Sequence, residues 1–222
     1  MVSVRGRWIL HFTHVDNLPS IVAEQRLACD LVARAGLLRT EVGDVAIKDQ
    51  RRSRRIDAGP GGRVGDYVPF YFAPRSPMMY RIVCDCREGR DGRYPDGDRP
   101  LVYLATTVGA VVDAGLDWVA SDGNAATATT RFSASLDDVD RMVDWPLMAE
   151  QYWNNVPEDP DRQRRRMAEF LVHRAVPLGT VKLVAAYSES YAGRVRDALG
   201  GHALASRVVV RPHWYYGFER AG

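Results

Sequence analysis

The stretch at residues 162–173 constrains the fold most, because a basic, helix-competent run gives way directly to an apolar one. Four arginines stand in five positions just before Glu169, and Phe170, Leu171 and Val172 follow it. Aromatic, aliphatic and β-branched residues in a short run closed by Pro177 are typical of a buried strand. The pattern therefore predicts a helix, then a strand inside a sheet, with one carboxylate at the junction.

Two interpretations of Glu169 are open from the residues alone. A carboxylate at the mouth of a buried strand, beside concentrated positive charge, is placed to meet a polyanionic substrate. Alternatively, Glu169 is exposed at the end of the strand and pairs with Arg165 at the helical i, i+4 spacing.

Composition points to an ordinary soluble globular protein whose positive charge is nearly all arginine. The chain has 222 residues and a net charge of +2, so any affinity for nucleic acid has to come from local patches. Lys48 and Lys182 are the only lysines. Arginine favours bidentate phosphate contacts and stacking on bases, although a compositional bias of the source genome would explain the same preference.

The cysteines predict a reducing compartment. Their number is odd, at three, and Cys84-x-Cys86 lacks a second pair at the spacing of a metal site. No apolar run approaches the length that spans a membrane. We expect a cytoplasmic, soluble protein without a metal.

The first strand ends in polar residues. Residues 7–12 alternate as in a strand, and Thr13 or Asp16 is predicted to cap the helix that follows. His11 and Thr13 would then lie at a strand-to-helix corner, where polar groups often face a ligand. The alternative is a satisfied core histidine beside a simple cap.

An aromatic strand is predicted at residues 67–72. Pro69 suggests that this strand is an edge or carries a bulge, and Ser76-Pro77 predicts the start of a helix. Alternation places Tyr67 and Tyr71 on one face, which is the candidate ligand surface; core packing is the alternative.

Two polar regions complete the chain. The basic cluster at residues 48–55 precedes a glycine-rich turn and is either a solvated face or a phosphate contact. The polar stretch from Ser121 to Asp161 has helical spacing at residues 140–153 and places Tyr152 and Trp153 where exposed rings could stack on bases. The other predicted elements are strands at 101–105, 116–120, 180–187 and 207–211 and helices at 107–114 and 188–199. This mixed order predicts one α+β domain over residues 1–222.

Several common catalytic motifs are absent from the sequence. It has no Gly-x-Gly-x-x-Gly after the first strand, no Walker loop, no serine nucleophile elbow and no HExxH. A polar active site without these groups has to bind a reactive substrate and stabilise charge.

Three strings carry a resemblance to a known family. They are HFTHVDNL at residues 11–18, DYVPFYFAPRSPMMY at 66–80 and RMAEFLV at 166–172. His11, Tyr71 and Glu169 in these strings resemble the His-Tyr-Glu triad of the diphtheria-toxin branch of ADP-ribosyltransferases. Nearly residue for residue, the strings are similar to the DarT family, the toxin half of DarT–DarG toxin–antitoxin systems, from about residue 8 to residues 214–216.

The resemblance implies a single-domain ADP-ribosyltransferase fold, with a split mixed β-sheet flanked by helices, that cleaves NAD+ as a co-substrate. Glu169 would be the catalytic glutamate, Arg51 would lie near the NAD phosphates and the acceptor base, and residues 124–169 (the acceptor loop) would select the acceptor. The implied NAD-binding residues are His11, Phe12, Thr13, Ser20, Ala28, Arg51 and Tyr71. The expected DNA-binding residues are Arg54, Arg75, Asn124, Tyr152, Trp153, Arg162, Arg165 and Arg166.

The implied reaction is the transfer of ADP-ribose onto thymidine in single-stranded DNA. Arg51 is expected to stabilise the deprotonated base, with Glu169 or water taking the proton, because a guanidinium stays protonated. Implied partners are single-stranded DNA and a DarG-like macrodomain antitoxin. The alternatives are a guanosine or protein acceptor, or an inactive single-strand binder.

Overall fold

A computed structural model describes residues 3–33, 40, 42, 45–90 and 95–217 of the chain. Within these residues the strands are β1 (Trp8–His14), β2 (Arg26–Ala28), β3 (Tyr67–Tyr71), β4 (Leu101–Thr107), β5 (Trp118–Ser121), β6 (Phe132–Ser133), β7 (Glu169–His173), β8 (Ala175–Pro177), β9 (Leu183–Ala186) and β10 (Val208–Val210). The α-helices are α1 (Leu18–Ala23), α2 (Asp30–Ala33), α3 (Val45–Ser53), α4 (Pro77–Arg87), α5 (Val108–Asp113), α6 (Leu136–Met142), α7 (Trp145–Ala149), α8 (Arg162–Arg166) and α9 (Glu189–Leu199).

Eight strands form one mixed sheet in the order β10-β9-β4-β1-β3-β7-β5-β6, and β2 pairs with β8 in a small second sheet. The β9–β10 pair is parallel, and the other pairs are antiparallel. One buried cluster packs Phe70 and Phe170 with residues of α5 and α9, and another packs Leu10 and Tyr71 with residues of α4. The predicted α+β fold with a mixed sheet flanked by helices is confirmed.

The sheet is split between β1 and β3. Every residue of β1 pairs with β4, yet Leu10 and Tyr71 form the one register pair between β1 and β3. The ring nitrogen Nδ1 of His11 lies 2.9 Å from the carbonyl oxygen of Pro69, so the backbone of Pro69 points toward β1. Proline has no N–H to donate to a neighbouring strand. At position 69 the missing donor lies on the side of β1, where the hydrogen-bond ladder between β1 and β3 is already interrupted.

Pro69 therefore does not mark an edge strand, and that prediction is wrong. β3 lies between β1 and β7 inside the sheet and pairs with β7 along its whole length. The proline is accommodated because residues 68 and 70, rather than 69, direct their backbone groups toward β7.

The corner after β1 differs from its prediction. Neither Thr13 nor Asp16 caps α1: Asn17 stands before the helix, and the ring of His14 accepts a hydrogen bond from the Asp16 amide in a preceding 3-10 turn. The stretch of helical spacing at 140–153 forms two helices, because Pro146 at the start of α7 has no N–H for a continuous helix.

The predicted junction between a basic helix and a buried strand is confirmed. α8 ends at Arg166 and β7 begins at Glu169. Ser76 caps α4 as predicted, with its hydroxyl accepting a hydrogen bond from the Met79 amide at 3.3 Å. The sequence does not predict a helix at the basic cluster of residues 48–55, but residues 48–53 form the end of α3 and Arg54 and Arg55 follow it; the Lys48 side chain lies outside the described residues.

Candidate active site

A buried ion pair between Glu169 and Arg51 forms the centre of the candidate site. The two guanidinium nitrogens Nη1 and Nη2 lie 2.9 Å from the carboxylate oxygens Oε1 and Oε2. The Glu169 side chain is fully buried, and the Arg51 side chain is 16% exposed. The alternative of an exposed Glu169 paired with Arg165 is wrong, because Arg165 pairs with Asp144 and Asp159.

The start of β7 is fixed by backbone and side-chain contacts. The Ala125 amide donates to Glu169 Oε1 at 3.1 Å, and the Glu169 amide donates to the Ser121 hydroxyl at 3.0 Å. Each carboxylate oxygen can accept two hydrogen bonds. Oε1 thus has two donors and Oε2 has one, so among the described residues Oε2 keeps an acceptor position for a ligand.

The protonation states follow from this burial. Burial alone would lower the pKa of Arg51, but the charge and hydrogen bonds of Glu169 outweigh it and raise the pKa, so Arg51 is a permanent cation. Tyr71 lies opposite Glu169 in the β3–β7 register. Burial, and then the charge of Glu169, raise the pKa of Tyr71 far above its ordinary value. Its hydroxyl therefore remains protonated and lies 3.6 Å from the Met78 sulfur.

Three consecutive residues of β1 are expected to bind NAD: His11, Phe12 and Thr13. Neighbouring groups orient their side chains. His11 Nδ1 carries a proton, because its partner at 2.9 Å, the Pro69 carbonyl, can only accept. The ring of Phe12 stacks on Tyr71 with centroids 6.1 Å apart. The Thr13 hydroxyl accepts a hydrogen bond from the buried Asn17 amide at 3.0 Å.

Ser20 and Ala28 lie on separate elements. Ser20 is half-buried in the first turn of α1, and Ala28 pairs with Ala175 in the small sheet. No contact between described residues joins either of them to the Arg51–Glu169 pair.

Arg54 and Asn124 brace the beginning of the acceptor loop. Arg54 donates to the carbonyls of Ala128 and Thr130, each at 3.0 Å. The Asn124 side-chain oxygen accepts from the Ala126 amide at 3.0 Å. Arg54 and Asn124 therefore lie beside the turn in which the Ala125 amide donates to Glu169.

The aromatic pair at 152–153 divides into one exposed and one buried ring. Tyr152 is 73% exposed, as predicted, but Trp153 is 5% exposed, so the expectation of an exposed Trp153 is wrong. The indole N–H of Trp153 donates to the Arg75 carbonyl at 3.2 Å. The Arg75 guanidinium lies 5.0 Å from the centroid of the Tyr216 ring.

The arginines of α8 have separate environments. Arg162 donates to the carbonyls of Tyr152 and Asn154 and so holds the chain around the exposed ring. Arg165 forms ion pairs with the aspartates named above.

Arg166 is 4% exposed and has no carboxylate partner among the described residues. It donates to the carbonyls of Pro74, Leu147 and Met148 at 2.8, 3.2 and 2.6 Å. Burial lowers the pKa of Arg166. Its charge therefore joins the segment after β3 to α7, three residues before Glu169.

Ser121 and the Ala125 amide belong to the site but are not predicted from the sequence. The polar run at 121–125 was recognised, but nothing in it indicates that a hydroxyl and a backbone N–H would meet Glu169 across β5 and β7. Within the described part of the chain no three His, Cys, Asp or Glu side chains group as metal ligands do. No helix there is long and apolar enough to cross a membrane.

Comparisons with known proteins agree on one family. Residues 10–216 match the family model described as ssDNA thymidine ADP-ribosyltransferase, DarT. A DNA ADP-ribosyl transferase of Mycobacterium tuberculosis is 40% identical over 213 residues, covering 94% of this chain and 89% of that protein. A DNA ADP-ribosyl transferase–glycohydrolase fusion protein of Thermosipho africanus is 23% identical and is matched over half of its length.

The fold is similar to that of solved structures. Thermus sp. 2.9 DarT in complex with ADP-ribosylated ssDNA superimposes with a TM-score of 0.85 at 29% identity, covering 97% of this chain and 99% of that one. The same protein in complex with NAD+ gives a TM-score of 0.80 at 30% identity, with 95% and 98% coverage. From the extent of these matches, this chain belongs to the DarT family of ssDNA thymidine ADP-ribosyltransferases.

Proposed function

We propose that this chain cleaves NAD+ and transfers ADP-ribose onto thymidine bases of single-stranded DNA, releasing nicotinamide. The observation that carries the proposal is the buried Arg51–Glu169 pair beside Tyr71, at the split between β1 and β3. It combines a carboxylate, a permanent cation and an ordered aromatic cluster, which are the groups that this chemistry requires.

NAD+ binds along the split in this proposal. Phe12 and Tyr71 provide stacked rings beside the nicotinamide, and His11 and Thr13 hold the nicotinamide and its ribose. The orientations of these side chains are set by hydrogen bonds and ring contacts within the protein, which lowers the ordering cost of binding. Ser20 and Ala28, on α1 and β2, contact the adenosine half.

Glu169 stabilises the charge that develops when the glycosidic bond breaks. The bonding pair leaves with nicotinamide, and the ribose becomes cationic at C1′. Oε2 accepts a hydrogen bond from the ribose 2′-OH at the position that no described residue fills, while Oε1 remains fixed by Arg51 and Ala125. A carboxylate ordered in advance opposes the new charge without reorganising.

Arg51 acts on the acceptor by its charge. A ring nitrogen of thymine attacks C1′, and the ring N–H proton leaves to Glu169 or water, so the products are the ADP-ribosylated base, nicotinamide and one proton. Arg51 stabilises the anionic base and the NAD diphosphate. Its raised pKa excludes it as the proton acceptor.

The acceptor loop presents the DNA strand. Tyr152 offers an exposed ring on which a base can stack. Arg54, Arg75, Asn124 and Arg162 form the polar surface around the site, whereas Trp153, Arg165 and Arg166 act on DNA through the segments that they hold.

The test is a transfer assay with single-stranded oligonucleotides, NAD+ and the purified chain. Mass spectrometry should show the gain of one ADP-ribose on thymidine-containing oligonucleotides and none on a sequence without thymidine. Glu169→Gln keeps the shape of the side chain but removes its charge, and should abolish transfer. Modification of guanosine oligonucleotides alone, or of none at all, would contradict the proposal.

We also propose a macrodomain antitoxin as the cellular partner. The support is the Thermosipho africanus protein, whose name joins a DNA ADP-ribosyl transferase to a DNA ADP-ribosyl glycohydrolase. Because DNA and NAD+ meet in the cytoplasm, we place the enzyme there. Expression of the active chain should arrest growth, and co-expression of a glycohydrolase that removes ADP-ribose from DNA should restore it.

A further inference from the structure

We propose that Arg164 is a positioning residue for NAD+ cleavage, because it fixes the turn at residues 121–125 (the 121–125 turn) that holds Glu169. In this proposal Arg164 contacts neither NAD+ nor DNA. It acts through the Ala125 amide, which donates to the Glu169 carboxylate. The inference rests on the proposed function, since it assigns a further residue to the first step of the same reaction.

The 121–125 turn is attached to the start of β7 at two points. The Ser121 hydroxyl donates to the Gly123 carbonyl at 2.7 Å and accepts from the Glu169 amide at 3.0 Å. The Ala125 amide donates to Glu169 Oε1 at 3.1 Å. Because both oxygens belong to one planar carboxylate, a donor that fixes Oε1 also fixes the direction of Oε2, which faces the ribose in the proposed reaction.

Arg164 holds the same turn from α8. Its Nη1 donates to Asp122 Oδ1 at 3.0 Å, and its carbonyl accepts from the Asn124 amide at 3.1 Å. Its Nε and Nη2 donate to Asp161, just before α8, at 2.8 and 2.7 Å. The hydrogen bonds to Asp161 outweigh burial and raise the pKa of Arg164, so it remains charged. One guanidinium therefore joins the 121–125 turn to the end of the acceptor loop.

The close packing of Gly123 against Arg164 leaves no room for a side chain in the turn. A Cβ atom at position 123 would clash with Arg164 Nη1 and would lie 2.9 Å from the Arg164 carbonyl oxygen. Because protein interiors are close-packed, an added methyl group would have to displace the guanidinium or the turn. The backbone of the 121–125 turn and the Arg164 guanidinium therefore determine each other's position.

Arg131 provides a matched control, because it pairs with the same aspartate from a different environment. Asp122 is buried, and the Arg164 side chain is 21% exposed. The Nε of Arg131 also donates to Asp122, at 2.9 Å, but the Arg131 side chain is 77% exposed. An exposed ion pair contributes little. Loss of the Arg131 side chain should therefore leave the 121–125 turn in place.

The first experiment measures NAD+ cleavage without DNA, from the release of nicotinamide. Arg164→Gln should lower kcat by about 100-fold, the cost of misplacing a reacting group by about 1 Å. The KM for NAD+ should not change, because the loss arises in the transition state. Arg131→Gln should leave kcat unchanged, and Arg164→Lys, which keeps the charge but not both contacts, should give an intermediate kcat. An unchanged kcat in Arg164→Gln would overturn the proposal.

Two further variants test the contacts of Arg164. Gly123→Ala keeps every charge and should lower kcat as Arg164→Gln does, because the added methyl group displaces the guanidinium. Asp122→Asn should also lower kcat, and the double variant with Arg164→Gln should lose no more than the larger single loss. Additive losses in the double variant would show that the two residues act separately and would overturn the proposal.

The second experiment follows hydrogen exchange of the Ala125 amide by NMR, relative to the amides of β4, and does not depend on activity. Arg164→Gln and Gly123→Ala should accelerate this exchange about 10- to 150-fold, the factor for one hydrogen bond to a charged group. Arg131→Gln should not. Unchanged protection of the Ala125 amide would overturn the proposal even if kcat falls. Faster exchange in a protein that cleaves no NAD+ would support the positioning and contradict the proposed function, so the two failures are distinguishable.

Direct contact between Arg164 and DNA is the competing interpretation. It predicts that Arg164→Gln reduces the slope of log Kd against log salt for a single-stranded oligonucleotide by about 0.7, the loss of one phosphate contact. It also predicts unchanged NAD+ cleavage and unchanged exchange of the Ala125 amide. That combination would overturn the proposal, which expects the salt slope of the unaltered protein.

Discussion

Replacing Arg51 by methionine should destabilise the protein substantially, although Arg51 belongs to the proposed catalytic pair. The methionine keeps an aliphatic stem but removes the charge and both 2.9 Å hydrogen bonds to Glu169. Glu169 is fully buried and would then retain the Ala125 amide as its side-chain donor among the described residues. Leaving one partner of a buried pair uncompensated costs about 3–5 kcal/mol. For a chain of this size that corresponds to a fall in Tm of about 6–20 °C.

The assay is urea unfolding, which measures the free energy of unfolding independently of activity. Arg51→Met and Glu169→Gln should each destabilise the protein, and the double variant should be more stable than their sum by about 1–3 kcal/mol, as for residues in one ion pair. Arg141→Met, at an exposed i, i+3 pair with Asp138, is the matched control and should cost no more than about 0.5 kcal/mol. Strict additivity of the two site variants would refute the reasoning that the pair is one buried unit.

Two further predictions concern other buried groups. Arg166→Met should lower the free energy of unfolding by about 2–3 kcal/mol in urea titrations, because its donors to three carbonyls are lost; a change below about 0.5 kcal/mol would show that the carbonyls find other partners. Tyr67, whose pKa is raised to about 12 chiefly by burial, contributes stability that is complete below its ordinary pKa of 10.0 and is lost as pH rises from there to about 12. The free energy of unfolding should therefore fall above pH 10.0, by at most about 1.4 kcal/mol per pH unit for each such tyrosine. This fall should begin at a lower pH than the ultraviolet absorbance of tyrosinate in the folded protein. A free energy that does not change above pH 10.0 would contradict this prediction.

The local structure around Glu169 could be predicted because each signal there is short-range. Phe170, Leu171 and Val172 favour a strand on both of its faces, and all three are buried in β7. Ser76 followed by Pro77 is a cap and a first helical position, and α4 begins there.

The partner of Glu169 could not be predicted from spacing. Arg165 stands four residues away and suits a helical pair, but the helix ends at Arg166, so the i, i+4 geometry is broken before it reaches Glu169. Arg51 is 118 residues away in sequence, and the sheet and α3 bring it to the carboxylate. A resemblance to a family pointed to Arg51; helical periodicity did not.

The prediction that Trp153 is exposed is wrong for a related reason. A polar neighbourhood predicts an exposed ring, but the indole N–H is required by the Arg75 carbonyl and the Tyr216 hydroxyl, which come from distant segments. Buried tryptophans usually satisfy their N–H in this way. The sequence does not indicate which distant acceptor the indole N–H will meet.

Pro69 affects which alternative strand pairings the sheet can form. A sheet in which β1 and β3 were fully paired would be a competing state, and any ligand entering between them would have to supply the free energy to separate the strands. A residue without an N–H, with its carbonyl already taken by His11, cannot complete that ladder. The proline thus disfavours full pairing of β1 with β3, and the short ladder between these two strands follows from the sequence itself.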